Sequence, residues 1–300
     1  MKQASSRKAR TRRLLDLLFL GQTRLCLGLV LGLALLLVLV IALGAHPILG
    51  GGSGVLSSDW RPSQGRFGLL AFLAGSLGVT GVAMLLAGPL SILAAAYLSE
   101  HAGRRLRGLL RPAIDVLAGV PSVVFGLFGV VLVVPAVALL GRLLGRTLTG
   151  FSVLAGGIVL AVMILPFVLS LSLDVFLAIP REAREAAMAL GATRWETLRG
   201  VLFRAALPGL VAAQVLGLAR AFGETMAVVM VVGNVAKLPT GLLDPACPVP
   251  ALLANTYGEM MSVPRYEGAL MLAALLLMVV VGGSSLAARL MLRYLQRSGA

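Results

Sequence analysis

Apolar runs long enough to cross about 30 Å of hydrocarbon recur six times along the chain, at Leu25–Gly44, Leu69–Leu98, Ile114–Leu140, Phe151–Leu173, Ala205–Gly233 and Gly268–Ala288. Charged and turn-forming residues collect between them. The pattern predicts an all-α integral membrane protein with six transmembrane helices. An even number of spans puts both termini on one side, and the Lys/Arg bias selects which. With the N-terminus inside, 19 basic residues fall on the inner segments (Lys2–Arg24, Arg104–Arg111, Arg181–Arg204 and Arg289–Arg297) and six outside (Arg61, Arg66, Arg142, Arg146, Lys237, Arg265), with Arg220 inside the fifth span. Both termini are therefore expected to be cytoplasmic. The chain divides into a basic N-terminal segment (1–24), a first span with its outer loop (25–68), a core of five spans (69–290) and a short tail (291–300).

Composition strengthens this picture. The 300 residues are 59% hydrophobic and 13% charged, whereas a soluble domain needs about 25% charged residues. The formal net charge of +14 would suggest nucleic acid, but a chain this apolar, with few aromatics, leaves no aqueous basic face. Nearly all the excess charge lies on the inner side, where it sets orientation and meets the inner leaflet lipid. Cys26 and Cys247 are too far apart to suggest a disulfide or a metal site, and both are expected to be free thiols. Nor do His46 and His101, at opposite membrane faces, make a metal or catalytic cluster, so no cofactor is expected. The first apolar run exceeds a signal peptide's hydrophobic region and is expected to remain as an anchor. Its Gly28 and Gly32 suggest local helix packing more than dimerisation.

The connections differ in kind. The outer loop Asn234–Glu267 carries five prolines, among them Pro239, Pro245, Pro248 and Pro250, and is expected to be irregular and exposed. The inner loop, residues 174–204, concentrates polarity. Pro180 suits a helix start, Arg181–Leu190 are strong helix formers, Gly191 breaks the run, and Thr193 is placed to cap a second short helix through Arg199. The sequence thus predicts two helices joined by a glycine elbow. Such a hairpin would either lie on lipid headgroups or fit a groove in a cytosolic protein.

Glu185-Ala186-Ala187, with Gly191 four residues on, resembles the EAA loop of type I ABC importer permeases. Phe203-Arg204 stand where that pattern usually has Leu-Pro, and Leu207-Pro208 comes later. A longer match, Gly217-Leu218-Ala219-Arg220-Ala221-Phe222-Gly223-Glu224-Thr225-Met226, resembles the PstC-type family of phosphate importer permeases. Trp60 with Pro62, Phe67-Gly68, Leu117–Val124 and Met163–Pro166 extend the resemblance. It implies the type I permease fold in a bacterial inner membrane and a non-catalytic role in phosphate uptake. Its implied partners are a PstA-type permease subunit, a PstB-type ATPase dimer docked on Glu185, Ala186, Ala187 and Gly191, and a PstS-type phosphate-binding protein. No GxxxxGK[ST] motif is present, so ATP hydrolysis belongs to a partner.

The charges in span five point the same way. A charge near mid-bilayer costs at least about 2.5–3.5 kcal/mol on insertion scales, so Arg220 and Glu224 are expected to face a partner or a water-filled path. If the helix continues, the two share a face at i, i+4. Arg220 would then contact the passing anion, Glu224 would orient it, and Thr225 would join the pathway; a self-neutralising structural ion pair is the plainer alternative. Pro121, Ser122, Pro166, Ser170 and Ser172 either line the route or kink the helices. Asp115 and Asp174, at the inner ends of their spans, are expected to be solvated. Two other readings stay open: a PstA-type subunit or a permease for another oxyanion, and a membrane-embedded enzyme, which would need a catalytic polar cluster that the sequence lacks.

Overall fold

The computed structural model describes residues 2–49, 57–258 and 265–298. Six helices are long and apolar enough to span a membrane: Phe19–Ile48, Leu70–Glu100, Ser122–Leu143, Val153–Leu177, Arg194–Gly223 and Tyr266–Ala287. The first belongs to α1 (Lys2–Leu49), the second is α2 (Leu70–Glu100) and the fourth is α6 (Val153–Leu177). Between α2 and the third span runs α3 (Arg104–Ala118), an amphipathic helix with no buried residue. The third span therefore starts at Ser122 and not at Ile114. It is built from α4 (Ser122–Phe128), a π-helical turn (Gly129–Val133) and α5 (Val134–Leu143). Pro121, which lacks an N–H, sits at the joint as the N-cap of α4 and not inside a span.

The most buried helix is α6, packed chiefly on α2 through Val79, Ala83, Ala87, Leu160, Ile164 and Val168. Close approach is needed there, because a Cβ on Gly157 would overlap Val82. The span also needs its first N–H groups satisfied in an apolar setting. Ser152 Oγ accepts from the Ala155 N–H at 3.2 Å, and the Val153 and Leu154 N–H groups donate to the carbonyls of Asp244 and Leu242 at 3.0 and 2.7 Å.

Those carbonyls belong to the long outer connection, which is exposed as expected at residues 234–238 and 240–242 but then turns inward. Residues 246–252 are buried. The Val249 N–H, at the start of α11 (Val249–Thr256), donates to Ser76 Oγ of α2 at 2.9 Å. Ala246 N–H pairs with the Val232 carbonyl at 3.1 Å. Cys247 is buried in this segment and free, as is the exposed Cys26.

Outside the body, α1 is exposed at every residue from Phe19 to Val40. It meets α12 (Tyr266–Ser298) only near its outer end, where Gly268 packs on the Gly44 carbonyl and Gly44 lies against Met271. A Cβ on Gly28 or Gly32 would meet nothing within 4 Å among the described residues, so the expected local packing at these glycines is not formed there. The strands β1 (Trp60–Arg61) and β2 (Arg66–Phe67) form a minimal hairpin. It presents Trp60 edge-on to Phe72 and Tyr266, with centroids 4.9 and 5.8 Å apart.

Candidate pathway and coupling sites

Helix α9 (Phe203–Gly223) carries Arg220 and stops one residue before Glu224, whose ψ of 126° is extended. The next helix, α10 (Met226–Val229), is only one turn long. Glu224 Oε1 accepts from the Ala227 N–H at 3.3 Å, so the carboxylate sits at the start of α10, where backbone donors have no helical partner. The break turns the side chains apart. Arg220 and Glu224 form no ion pair among the described residues, and the shared i, i+4 face is not realised.

Each expected pathway residue has its own surroundings. Glu224 is half-buried in a small enclosure with Ser76 and Thr80 of α2 and with Pro248 and Pro250 of the re-entrant segment. Thr225 borders an apolar cleft of about 1000 Å³ between α1, α11 and α12. Arg220 is exposed on the single chain, and its guanidinium lies 4.9 Å from the centroid of the Phe167 ring of α6. A guanidinium over an aromatic face is attracted by the ring quadrupole while its N–H edges remain free to bind.

Phe167 begins a stripe that sequence reasoning missed. Residues 167, 170 and 174 lie on one face of α6 at i, i+3 and i+7. Ser170 Oγ donates to Asp115 Oδ1 at 2.9 Å. One turn further in, Arg111 Nη2 pairs with Asp174 Oδ1 at 2.6 Å. Asp115 and Asp174 are thus engaged by α3 and α6 and are not merely solvated. Ser172 is buried on another face and does not join them. The signal that could have found this stripe was Arg111 and Asp115 at i, i+4 on a helix ahead of the span, matched to Ser170 and Asp174 at the same spacing. Polar side chains on a lipid-facing surface would be costly, so this face suits water or a protein partner.

The inner loop forms the expected hairpin. Helix α7 (Arg181–Ala189) presents Glu185 and Ala186 to solvent and half-buries Ala187. Gly191 has φ of 87°, a left-handed conformation that other residues adopt with strain. Thr193 caps α8 (Arg194–Glu196) in a reciprocal capping box with Glu196. The bonds from the Thr193 N–H and hydroxyl hold the Glu196 carboxyl below its ordinary range. The second helix does not end near Arg199, because α8 passes through a π-helical turn (Thr197–Leu202) directly into α9. Leu198 is buried against the inner core, whereas Leu190 and Trp195 remain 90% and 61% exposed. Large apolar side chains this exposed mark a contact surface.

Among the described residues no group of three or more His, Cys, Asp or Glu is arranged to hold a metal.

Comparisons with known proteins agree with this architecture. Residues 87–298 match the family model described as "Binding-protein-dependent transport system inner membrane component". The chain is 43% identical to the probable ABC transporter permease protein YqgH of Bacillus subtilis, over 68% of this chain and 67% of that protein. It is 34% identical to the phosphate transport system permease protein PstC of Mesorhizobium japonicum, over 99% of this chain and 96% of that one. The PstC of Xylella fastidiosa strain Temecula1 is 35% identical over 80% and 78%. Among solved structures, an inward-facing form of the MetNI methionine ABC transporter superposes with a TM-score of 0.54 at 19% identity, covering 76% of this chain and 94% of that one. With six membrane-length helices, the type I permease fold and PstC relatives matched over most of its length, the chain is a multi-pass inner-membrane protein that belongs to the binding-protein-dependent transport permease family, and within it to the PstC kind.

Proposed function

We propose that this chain is the PstC-type subunit of an ATP-driven phosphate importer and forms half of its translocation pathway. Both termini are cytoplasmic in this reading, as the distribution of basic residues requires. A PstA-type subunit covers the face bearing Arg220 and completes the pore. A PstB-type ATPase dimer docks on the loop of Glu185, Ala186, Ala187 and Gly191, and a PstS-type protein delivers phosphate from outside. ATP hydrolysis belongs to the ATPase, and this chain is non-catalytic.

The observation that carries the reading is Arg220, a fixed cation at membrane depth that is backed by an aromatic ring and left without a carboxylate partner among the described residues. Its planar guanidinium offers paired N–H donors to a phosphate oxyanion. Ring contact in place of an ion pair leaves the charge available. A conduit must nevertheless release its ion. The Asp115 carboxylate, toward the inner end of the stripe, disfavours anion retention there. Glu224 acts differently from the sequence-based expectation: it holds the break after α9 by capping α10, which aims Arg220 without touching it. Thr225, on the far side of that break, lies near the pathway's edge.

The test is uptake of radiolabelled phosphate by the reconstituted complex. Arg220→Gln should abolish uptake while the complex still assembles and retains its ATPase subunit. Wild-type uptake by that variant rules the assignment out. Failure of the chain to co-purify with an ATPase would count against the whole reading.

A further inference from the structure

One side chain near the coupling loop is bonded far more heavily than its place on a short surface helix requires. Arg184 lies in the first turn of α7, immediately before Glu185. Its Nε donates to Glu100 Oε1 at 3.0 Å, Nη1 to the Ile179 carbonyl at 2.7 Å and Nη2 to the Phe176 carbonyl at 2.9 Å. Both side chains of the Arg184–Glu100 pair are largely buried, at 16% and 17% exposure. Glu100 is the last residue of α2, and Phe176 and Ile179 bracket the end of α6. One guanidinium therefore joins the inner ends of two spans to the root of the loop helix. It also neutralises carbonyls that a helix C-terminus leaves unpaired. Arg107 reinforces the joint from α3, donating to the carbonyls of Leu98 at 2.8 Å and of Ser99.

The two spans gripped in this way hold the surroundings of the candidate pathway residues. Nine residues up α6 from Phe176, about 13 Å at 1.5 Å per residue, stands Phe167 under Arg220. Up α2 are Ser76 and Thr80, around Glu224. The other end of the loop runs without a break through α8 and the π-helical turn into α9, which carries Arg220 itself. The loop thus has two roots, one running as continuous helix into α9 and one passing through the non-helical link of residues 178–180 into α6, where Arg184 ties it to α2 as well.

We propose that Arg184 is a positioning residue for energy coupling: it makes α2 and α6 follow the loop when α9 is moved, so that Arg220 and Phe167 travel together. This rests on the reading of the loop as the ATPase contact. Without Arg184, α6 is joined to the loop only by the non-helical link 178–180 and α2 loses its tie to α7, so a pull on the loop moves α9 ahead of them. ATP is then hydrolysed while the anion site is left disassembled. A lysine has a single nitrogen and cannot reach all three acceptors.

The experiment measures phosphate uptake and binding-protein-stimulated ATP hydrolysis together in proteoliposomes of the full complex, with subunit ratios checked. Arg184→Ala should lower phosphate transported per ATP at least about fivefold, the low end of typical inter-site coupling, while hydrolysis stays within about twofold. Arg184→Lys should fall between Arg184→Ala and wild type, and Glu100→Gln, which spares both carbonyl bonds, should be milder still. In the double variant, Glu100→Gln should add nothing to Arg184→Ala. Uptake and hydrolysis falling in equal proportion, or an unchanged ratio, overturns the proposal. If Arg184→Ala does not assemble, Arg184→Lys and Glu100→Gln decide it by the same ratio. A wild-type complex without ATP-dependent phosphate uptake instead removes the functional reading on which the inference stands.

Discussion

The outer and inner ends of this molecule are held together by different forces. At the outer end, packed rings and backbone hydrogen bonds close the structure. Trp60, Phe67, Phe72 and Tyr266 meet edge to face, and the re-entrant segment satisfies the first N–H groups of α6 with its own carbonyls. At the inner end a second apolar core, with the Phe176 and Phe203 rings edge to face, is ringed by side-chain polar contacts: Arg184 with Glu100, Arg111 with Asp174, Asp115 with Ser170. Packed aromatic contacts lose energy steeply when shifted, because interiors are dense and have few alternative arrangements. Exposed polar contacts such as Arg111 with Asp174 can break and re-form at modest net cost, whereas the largely buried Arg184–Glu100 pair is held more firmly. The outer end is therefore suited to act as a fixed frame and the exposed polar contacts of the inner end as the part that rearranges. Arg220 stands between them, gripped by α9 and α6.

Changes at that middle point should have the largest effect on transport. Arg220→Gln should remove phosphate uptake altogether while leaving thermal stability of the purified complex nearly unchanged, since the side chain is exposed on the single chain and forms no ion pair among the described residues. A large loss of melting temperature would instead make Arg220 part of the frame. In the frame itself, Phe72 is fully buried beneath Trp60. Phe72→Ala should cost about 3–5 kcal/mol of stability, read as a lowered midpoint in detergent melts. The assembled fraction should keep a normal ratio of phosphate to ATP. A disturbed ratio would show that the outer end also takes part in coupling.

Smaller effects are expected further inward. Thr193→Ala removes the hydroxyl that accepts from the Glu196 N–H and donates to its carboxylate, and should cost about 0.5–2 kcal/mol locally, seen as faster amide exchange over residues 194–198 with little change over α2. The same variant leaves the backbone N–H bond to Glu196, the larger cause of its lowered pKa, and removes only the hydroxyl bond. As that depressed carboxylate favours the folded loop above its unfolded pKa, wild-type protection should fall as the pH drops through the folded value, and the variant should show a weaker dependence. The smallest change should come from Arg111→Ala. Its ion pair is about half exposed on both sides, and such pairs contribute about 0–1 kcal/mol. A stability loss well above that range would mean that the inner joints are as firm as the outer ones.

Much of this was legible from residue pattern alone. The six spans follow from apolar run length, because no other arrangement satisfies backbone groups in hydrocarbon. The loop hairpin follows from Pro180, Gly191 and Thr193, each of which acts through its own backbone or its nearest neighbours. Where reasoning went astray, a distant contact had overridden a local rule. The Asn234–Glu267 connection has the prolines of an exposed loop, yet residues 246–252 fold inward, where Ser76, 173 residues earlier, accepts the Val249 N–H. Ile114 extends an apolar run, but it belongs to α3, whose polar face is bonded to α6.

Sequence by itself determined the number of spans, the uneven distribution of basic residues between their two ends, the shape of the loop at residues 174–204 and the presence of Arg220 within the fifth span. Those properties depend on length, charge count and short-range backbone preference. Tertiary structure alone decided what Arg220 faces. Nothing in Arg220-Ala221-Phe222-Gly223-Glu224 announces that the helix stops at Gly223, and a continuous helix would have paired the two charges. The break places Glu224 among the side chains of α2 and the re-entrant segment, and leaves Arg220 to Phe167 of α6. Which of two charged groups remains open to an ion is thus settled by neighbours far away in the chain, brought there by packing that no local rule encodes.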